Sequence, residues 1–383
     1  MATKENIVTS LSKDSKKWLD EAVAESEKNE DTLFIESCNI GFDLALTNGL
    51  GIPVGSSVLF YADPGCGKTT LLGDVSRRVI KKAKDEDKPF KVLYLATENS
   101  KELLKALGLD EYMSSGDFLY VQKELCWRQV ETFYEAVLQG YGKYKDVKLI
   151  IIDSVNNVLS DANLTKSVAD GDFGTKAKER GSFYGKFLGR CAEKGVTSFF
   201  IAQVRQDQSA GMYGDPKKAA ASWADLHNVE MIVKCSKKSD ATETAKIEVN
   251  TAFGKIQDQP KWIMKLHSSA TNCKNRFFRG FPAEVLVVKG KGVDNTYAAR
   301  KLLEANGYIK KAGGWFTFCK ELQESLNFPS NNLRANDCNK YVRDNMGALI
   351  EMLKEAGQYK IEVSEETIEE DTDVENNTSE SEE

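Results

Sequence analysis

Between the apolar run Val58-Leu59-Phe60 and the helix-like segment Leu71-Leu72-Gly73-Asp74-Val75, the chain reads Ala62-Asp63-Pro64-Gly65-Cys66-Gly67-Lys68-Thr69-Thr70. Glycines at Gly65 and Gly67 let the backbone wrap closely enough to aim several N–H groups at phosphate oxygens. A helix opening at Lys68 adds the positive end of its dipole. The Lys68 ammonium then reaches the β- and γ-phosphates of a nucleoside triphosphate, and the Thr69 hydroxyl is placed to ligate Mg²⁺. Such a loop usually begins with Gly; here that position is Ala62, tolerable unless the backbone there is left-handed. A helix N-terminus lowers a thiol's pKa, so Cys66 is expected to be reactive and its alkylation to block nucleotide binding.

Two carboxylates and an amide stand where a triphosphate site needs them. The run Leu149-Ile150-Ile151-Ile152-Asp153-Ser154 reads as a buried parallel strand ending in a carboxylate, the place for a group that holds the Mg²⁺ water shell. Glu98 follows Val92-Leu93-Tyr94-Leu95-Ala96-Thr97, again at a strand's carboxyl end, where it can orient and deprotonate an attacking water; the plain alternative is a residue near a helix N-cap. Phe199-Phe200-Ile201-Ala202 ends in Gln203-Val204-Arg205, and an amide at that edge can sense a γ-phosphate. Gln206 to Trp223 has no strong helix or strand pattern, and long irregular segments in compact domains are often functional.

These residues need a scaffold. Strand-like runs at Ser57 to Tyr61, Val92 to Thr97, Phe118 to Gln122, Lys148 to Asp153 and Thr197 to Val204 alternate with helical patterns at Trp127 to Tyr141 and Lys176 to Lys194. That alternation predicts βαβ units, an α/β fold and a mainly parallel sheet. Val229 to Cys235, Trp262 to His267 and Glu284 to Val288 extend the sheet in mixed sense. Residues 5 to 29 read as an amphipathic helix and Thr32 to Glu36 as a short strand, packing on a neighbouring subunit or on their own domain. After Lys291 comes a small helix-rich unit, Tyr297 to Tyr359.

Composition bounds the rest. The 383 residues suffice for one large domain with appendages, and no segment approaches eighteen uninterrupted apolar residues. The charged N-terminus is not signal-like, so a soluble protein without membrane contact is expected. Eight scattered cysteines without a C-x-x-C pair, and only two histidines, argue for reduced thiols in a cytoplasm. Residues 363 to 383 hold ten acidic residues and no Lys or Arg, which leaves the rest of the chain at +4 against −6 overall. Such a tail is expected to be disordered, or to compete with phosphate for basic surface.

Taken in order, these residues resemble the RecA family of DNA strand-exchange recombinases, from about Thr32 to Phe318. The likeness includes Asn39-Ile40-Gly41-Phe42-Asp43-Leu44-Ala45-Leu46, Ile152-Asp153-Ser154-Val155, Ile201-Ala202-Gln203-Val204-Arg205, Met212-Tyr213-Gly214-Asp215-Pro216, Lys274-Asn275-Arg276 and Gly313-Gly314-Trp315-Phe316. The resemblance implies a RecA-like P-loop ATPase core at 38–290, an N-terminal helix-strand oligomerisation arm at 1–37, a small C-terminal α/β domain at 291–362 and an acidic disordered tail at 363–383. It makes Lys68, Glu98 and Gln203 the catalytic set. The nucleotide would lie on Asp63, Pro64, Gly65, Cys66, Gly67, Lys68, Thr69, Thr70 and Asp153, with Mg²⁺ at Thr69 and Asp153. Lys274 and Arg276 would face ATP on the adjacent subunit. A first DNA-binding loop, about Ser160 to Thr175, would bring Phe173 and Gly174, with Lys178 nearby. A second, about Arg205 to Trp223, would bring Arg205, Gly211, Met212, Tyr213 and Gly214. Apolar wedges of this kind stack between bases.

The implied activity is ATP-dependent homologous pairing by an open helical filament on single-stranded DNA, acting against double-stranded DNA with single-strand-binding and loading proteins. Asp207 in the second loop, and a short segment after Glu98 without an aromatic to stack on adenine, mark departures of the kind a bacteriophage-encoded member acting in its host's cytoplasm would show. Two rival readings share parts of the pattern: a RecA-fold hexameric helicase or regulatory ATPase, and a non-hydrolysing single-strand-binding or mediator protein.

Overall fold

The computed structural model describes residues 33–161, 174–206, 217–220, 223–238, 245–251, 254–268, 273–277 and 282–355. In chain order the elements that build the site are β1 (Phe34–Ile35), α1 (Ile40–Thr47), β2 (Ile52–Pro53), β3 (Ser57–Ala62), α2 (Lys68–Asp85), β4 (Lys91–Ala96), α3 (Lys101–Ala106), α4 (Asp110–Ser115), β5 (Phe118–Gln122), α5 (Trp127–Leu138), β6 (Val147–Asp153), α6 (Thr175–Glu193), β7 (Thr197–Gln206), β8 (Lys217–Ala219), α7 (Trp223–Asn228) and β9 (Met231–Lys237). After them come β10 (Ala245–Thr251), β11 (Gly254–His267), β12 (Lys274–Asn275), β13 (Ala283–Val288), β14 (Gly292–Asp294) and the C-terminal elements.

The main sheet runs β14-β13-β11-β9-β3-β7-β6-β4-β5 among the described residues. From β9 to β5 every neighbouring pair is parallel, and β11, β13 and β14 add on in antiparallel sense. The strands are apolar on both faces because both faces are covered. Side chains alternate across a strand, so Val58, Phe60, Val92, Tyr94, Leu149, Ile151, Phe199 and Ile201 meet α1 and α2 through Phe42, Leu71, Leu72 and Val75. Leu59, Tyr61, Leu93, Leu95, Ile150, Ile152 and Phe200 meet α5 and α6 through Trp127, Tyr134, Phe183, Tyr184 and Phe187. Each such side chain, fully buried, contributes about 1.5–3 kcal/mol.

The sequence expectation of a mainly parallel α/β sheet holds. Two segments differ from it. Ile247 to Thr251 pairs with Gly254 to Asp258, so β11 is a long strand folded back on β10 rather than the short run from Trp262. Lys217–Ala219 pairs antiparallel with Val204 to Gln206, and Trp223–Asn228 is helical, so the segment after Gln206 includes a strand paired back on β7 and a helix. The C-terminal unit carries a three-stranded sheet, Ile309–Ala312, Trp315–Phe318 and Leu333–Arg334, beside its helices. Phe34–Ile35 pairs with Ile52–Pro53 of the same chain. Residues 1–32 and the acidic tail lie outside the described residues, and among those described no helix is long and apolar enough to cross a membrane.

Candidate nucleotide site

The register of the parallel strands brings the chemistry to one edge. Ala62 lies opposite Gln203, Asp153 opposite Ile201, and Ala96 opposite Asp153, so the carboxyl ends of β3, β7, β6 and β4 are nearly level. The chain leaves β3 through α2, passes over β7 and β6 to reach β4, and returns to fill the gap. Ligands of open α/β sheets bind at such a switch in strand order.

Ala62 closes β3 in extended backbone and is not among the residues at positive φ, so no strain arises from the missing glycine. The left-handed positions fall on Gly65 (φ +68°) and Gly67 (φ +106°), where glycine carries no penalty. A Cβ on Gly65 would meet nothing within 4 Å, which leaves the mouth of the loop open for a ligand. Gly67 is the N-cap of α2 and no side chain caps it, as an anion-binding helix start requires. Lys68 Nζ donates to the carbonyls of Ala62 (2.8 Å) and Asp63 (3.3 Å), folded back along the loop it would leave for a phosphate.

Thr69 Oγ1 donates to Asp153 Oδ2 at 2.8 Å. These two oxygen groups are the pair that would hold Mg²⁺ and its waters, and the hard oxygen donors fit that ion. The alternation that turns Leu149 and Ile151 toward α2 turns Asp153 the same way. Tyr94, on the same face of the adjacent strand, donates its hydroxyl to the same Asp153 oxygen at 2.6 Å. Burial raises the Asp153 carboxyl above its ordinary range, while the hydrogen bonds from Tyr94 and Thr69 pull it down. The Tyr94 phenol is itself held well above its usual value by burial and by Asp153, so it stays a donor.

Glu98 follows β4 on the exposed side of the site. Its Oε1 accepts from Asn157 Nδ2 (2.8 Å), Ser154 Oγ (3.3 Å) and Gln203 Nε2 (3.4 Å). The carboxylate proposed to activate water and the amide proposed to sense phosphate are therefore in contact. Cys66 behaves contrary to the sequence expectation. The thiol is 1% exposed, and burial pushes it up to about 11 despite the helix start beside it. Desolvation outweighs the nearby Lys68 and Lys237 charges, and a neutral buried thiol is a poor nucleophile. The loop is braced instead through Cys66's carbonyl, which accepts from Trp262 Nε1 at 2.8 Å.

Lys274 and Arg276 stand elsewhere. Lys274 pairs with Ile232, and Ile232 with Leu59, three residues short of Ala62, so β12 lies about 10 Å back along the sheet from the phosphate loop. Lys274 Nζ donates to the carbonyls of Leu226, His227 and Val229 at the end of α7, and Arg276 Nη2 to that of His227. Burial, with Arg276 alongside, lowers the Lys274 ammonium. Neither residue joins the site of its own chain.

Of the DNA-binding positions expected, Gly174 is the left-handed N-cap of α6, Lys178 is exposed on its first turn, and Arg205 lies on β7 at the hairpin stem. Phe173, Gly211, Met212, Tyr213 and Gly214 lie outside the described residues. Sequence reading missed Tyr94, Trp262 and the asparagines at 156 and 157. Only Tyr94 carried a signal, its place in the alternation of β4.

A family model described as an AAA domain matches residues 47–209, from the end of α1 to just past β7. The protein RecA of Lactococcus lactis subsp. cremoris (strain MG1363) is 24% identical over 296 residues, covering 76% of this chain and 69% of its own length. RecA of Corynebacterium urealyticum is 25% identical over 333 residues (83% and 81%), and that of Trichodesmium erythraeum 24% over 347 residues (87% and 86%). The mostly parallel α/β sheet, the phosphate loop at its carboxyl edge and the likeness to these proteins are consistent with a RecA-like P-loop core.

Proposed function

We propose that this chain is an ATP-dependent DNA recombinase that assembles on single-stranded DNA as an open helical filament and pairs it with a homologous duplex. The observation that carries the reading is the position of Gln203. Its side chain touches Glu98, and its backbone is bonded to the hairpin stem that continues β7 beyond the site. Lys68 and the first turn of α2 would cradle the triphosphate, Thr69 and Asp153 would hold its Mg²⁺, and Glu98 would orient the attacking water. Mg²⁺ held there would supply neutralisation of the triphosphate's negative charge. The chain's own part is to position the nucleotide and to report its state at Gln203.

Lys274 and Arg276, remote from the phosphate loop of their own chain, suit a role on ATP held by an adjacent subunit, which makes hydrolysis depend on assembly. A head-to-tail contact of that kind need not close, and an unclosed one gives a filament. Phe173, Met212 and Tyr213 would be the DNA-contacting residues of the two loops. The test is ATP hydrolysis with and without single-stranded DNA, the same samples being imaged. Stimulated turnover with helical filaments is expected. Closed rings would favour a hexameric motor, and absence of hydrolysis a mediator.

A further inference from the structure

Asn156 sits in the turn after β6, just ahead of the first segment expected to contact DNA. Its side chain closes a ring of three hydrogen bonds. The Gln203 N–H donates to Asn156 Oδ1 (2.8 Å), Asn156 Nδ2 donates to the Ala220 carbonyl (2.5 Å), and the Ala220 N–H donates to the Gln203 carbonyl (2.7 Å). The Asn156 carbonyl also accepts from Lys176 Nζ, on the first turn of α6. One residue thus bonds β7 at the sensor, the residue after β8 at the base of the β7–β8 stem, and the helix that follows residues 162–173. The next residue, Asn157, donates to Glu98, as Gln203 does. A carboxamide offers an acceptor and a donor side by side, so neither Asp nor Ala could close this ring.

We propose that Asn156 is a positioning residue that ties the state of the nucleotide site to the described flanks of both segments. The proposal rests on the reading that the site takes ATP. A nucleotide that draws Glu98 or Gln203 toward its γ-phosphate breaks their contact with each other, and Gln203 cannot shift without moving the ring. Displacement at Gln203 is then passed to Ala220 through their direct backbone bond and through the Asn156 side chain, and to Lys176 through the Asn156 carbonyl. Asn is also common in turns for its local backbone bonds, and a purely local role predicts no nucleotide-dependent difference on substitution.

The test is hydrogen exchange of the full chain without DNA, with and without a non-hydrolysable ATP analogue and Mg²⁺, read at residues 174–178, 203–206 and 217–220. The wild type is expected to change on nucleotide addition. In N156A that change should shrink by about 2- to 10-fold at 203–206 and 217–220, the weight of one hydrogen bond, with affinity for the analogue retained. N156D keeps the acceptor for Gln203 but not the donor for Ala220. It should hold the response at 203–206 and shrink it by about 2- to 10-fold at 217–220, where the backbone bond from Ala220 to Gln203 remains, and it carries the test alone if N156A does not fold. A response in N156A or N156D equal to that of wild type at every segment overturns the proposal, as does a wild type that shows none. A wild type that responds to nucleotide but hydrolyses ATP indifferently to DNA leaves Asn156 in its role and removes the recombinase reading.

Discussion

Tyr94→Phe removes one oxygen atom and makes a quantitative test of how the site holds Asp153. The hydroxyl donates to Asp153 Oδ2 at 2.6 Å, and Asp153 is 3% exposed, so water cannot readily take its place. The ring itself stays packed on Phe118 and Tyr120, whose centroids lie 5.7 and 6.0 Å away, so the change is confined to the hydrogen bond. A hydrogen bond to a charged group contributes about 1.5–3 kcal/mol, which corresponds to roughly 1–2 pH units in the carboxyl it holds down. Burial already raises Asp153, and Tyr94 and Thr69 oppose it. With the phenol gone the carboxyl titrates higher still. The ionised form is the one that serves Mg²⁺, so activity on the acid side is lost earlier. The pH profile of kcat/KM for ATP hydrolysis, from about pH 5 to 9, should show its acid limb moved up by roughly one to two units in the variant, with the alkaline plateau preserved. An acid limb that stays in place would refute the assignment. A loss uniform across pH would mean the phenol acts on geometry and not on charge.

Three further outcomes are expected. Trp262→Phe strands the buried Cys66 carbonyl, so unfolding in urea should show a loss of about 1–3 kcal/mol together with weaker nucleotide binding; no change in either sinks the brace. Asp43 is buried in α1, where Ser37 N–H donates to its carboxyl (3.2 Å to Oδ2), and burial raises it to about 8. A carboxyl raised in the folded state contributes stability that is full below its unfolded pKa near 4 and is lost as pH climbs to 8, at up to about 1.4 kcal/mol per unit. Asp43→Asn lacks that slope and should gain on the wild type as pH rises through this window; a constant difference contradicts the assignment. Lys274→Ala and Glu98→Gln should each hydrolyse ATP poorly alone, yet regain turnover when mixed, because one kind of interface then holds an intact Glu98 and an intact Lys274. Absence of recovery removes the role across subunits.

Much of the site was legible because strand ends in a parallel sheet are marked twice, by an apolar run and by the polar residue that stops it. Asp153, Glu98 and Gln203 were picked out that way, and the phosphate loop by its glycines and lysine, and the register of the strands brings them to one edge of the sheet. What was not legible depended on register or on burial. Tyr94 reads as one more apolar strand residue until β4 is set against β6 and its hydroxyl falls beside Asp153. Trp262 is 196 residues from Cys66, and only the register of β11 against β9 and β13 brings it to the loop. The thiol was misjudged because a sequence shows the helix start but not the desolvation that raises the thiol. Lys217–Ala219 carries no apolar run, so its pairing with β7 follows from the chain reversing rather than from its own pattern.

The most direct test of the recombinase reading is strand exchange between circular single-stranded DNA and a homologous linear duplex. Joint molecules that require ATP and homology are predicted. Unwinding of a forked duplex without joint molecules, or none under any nucleotide condition, would contradict it.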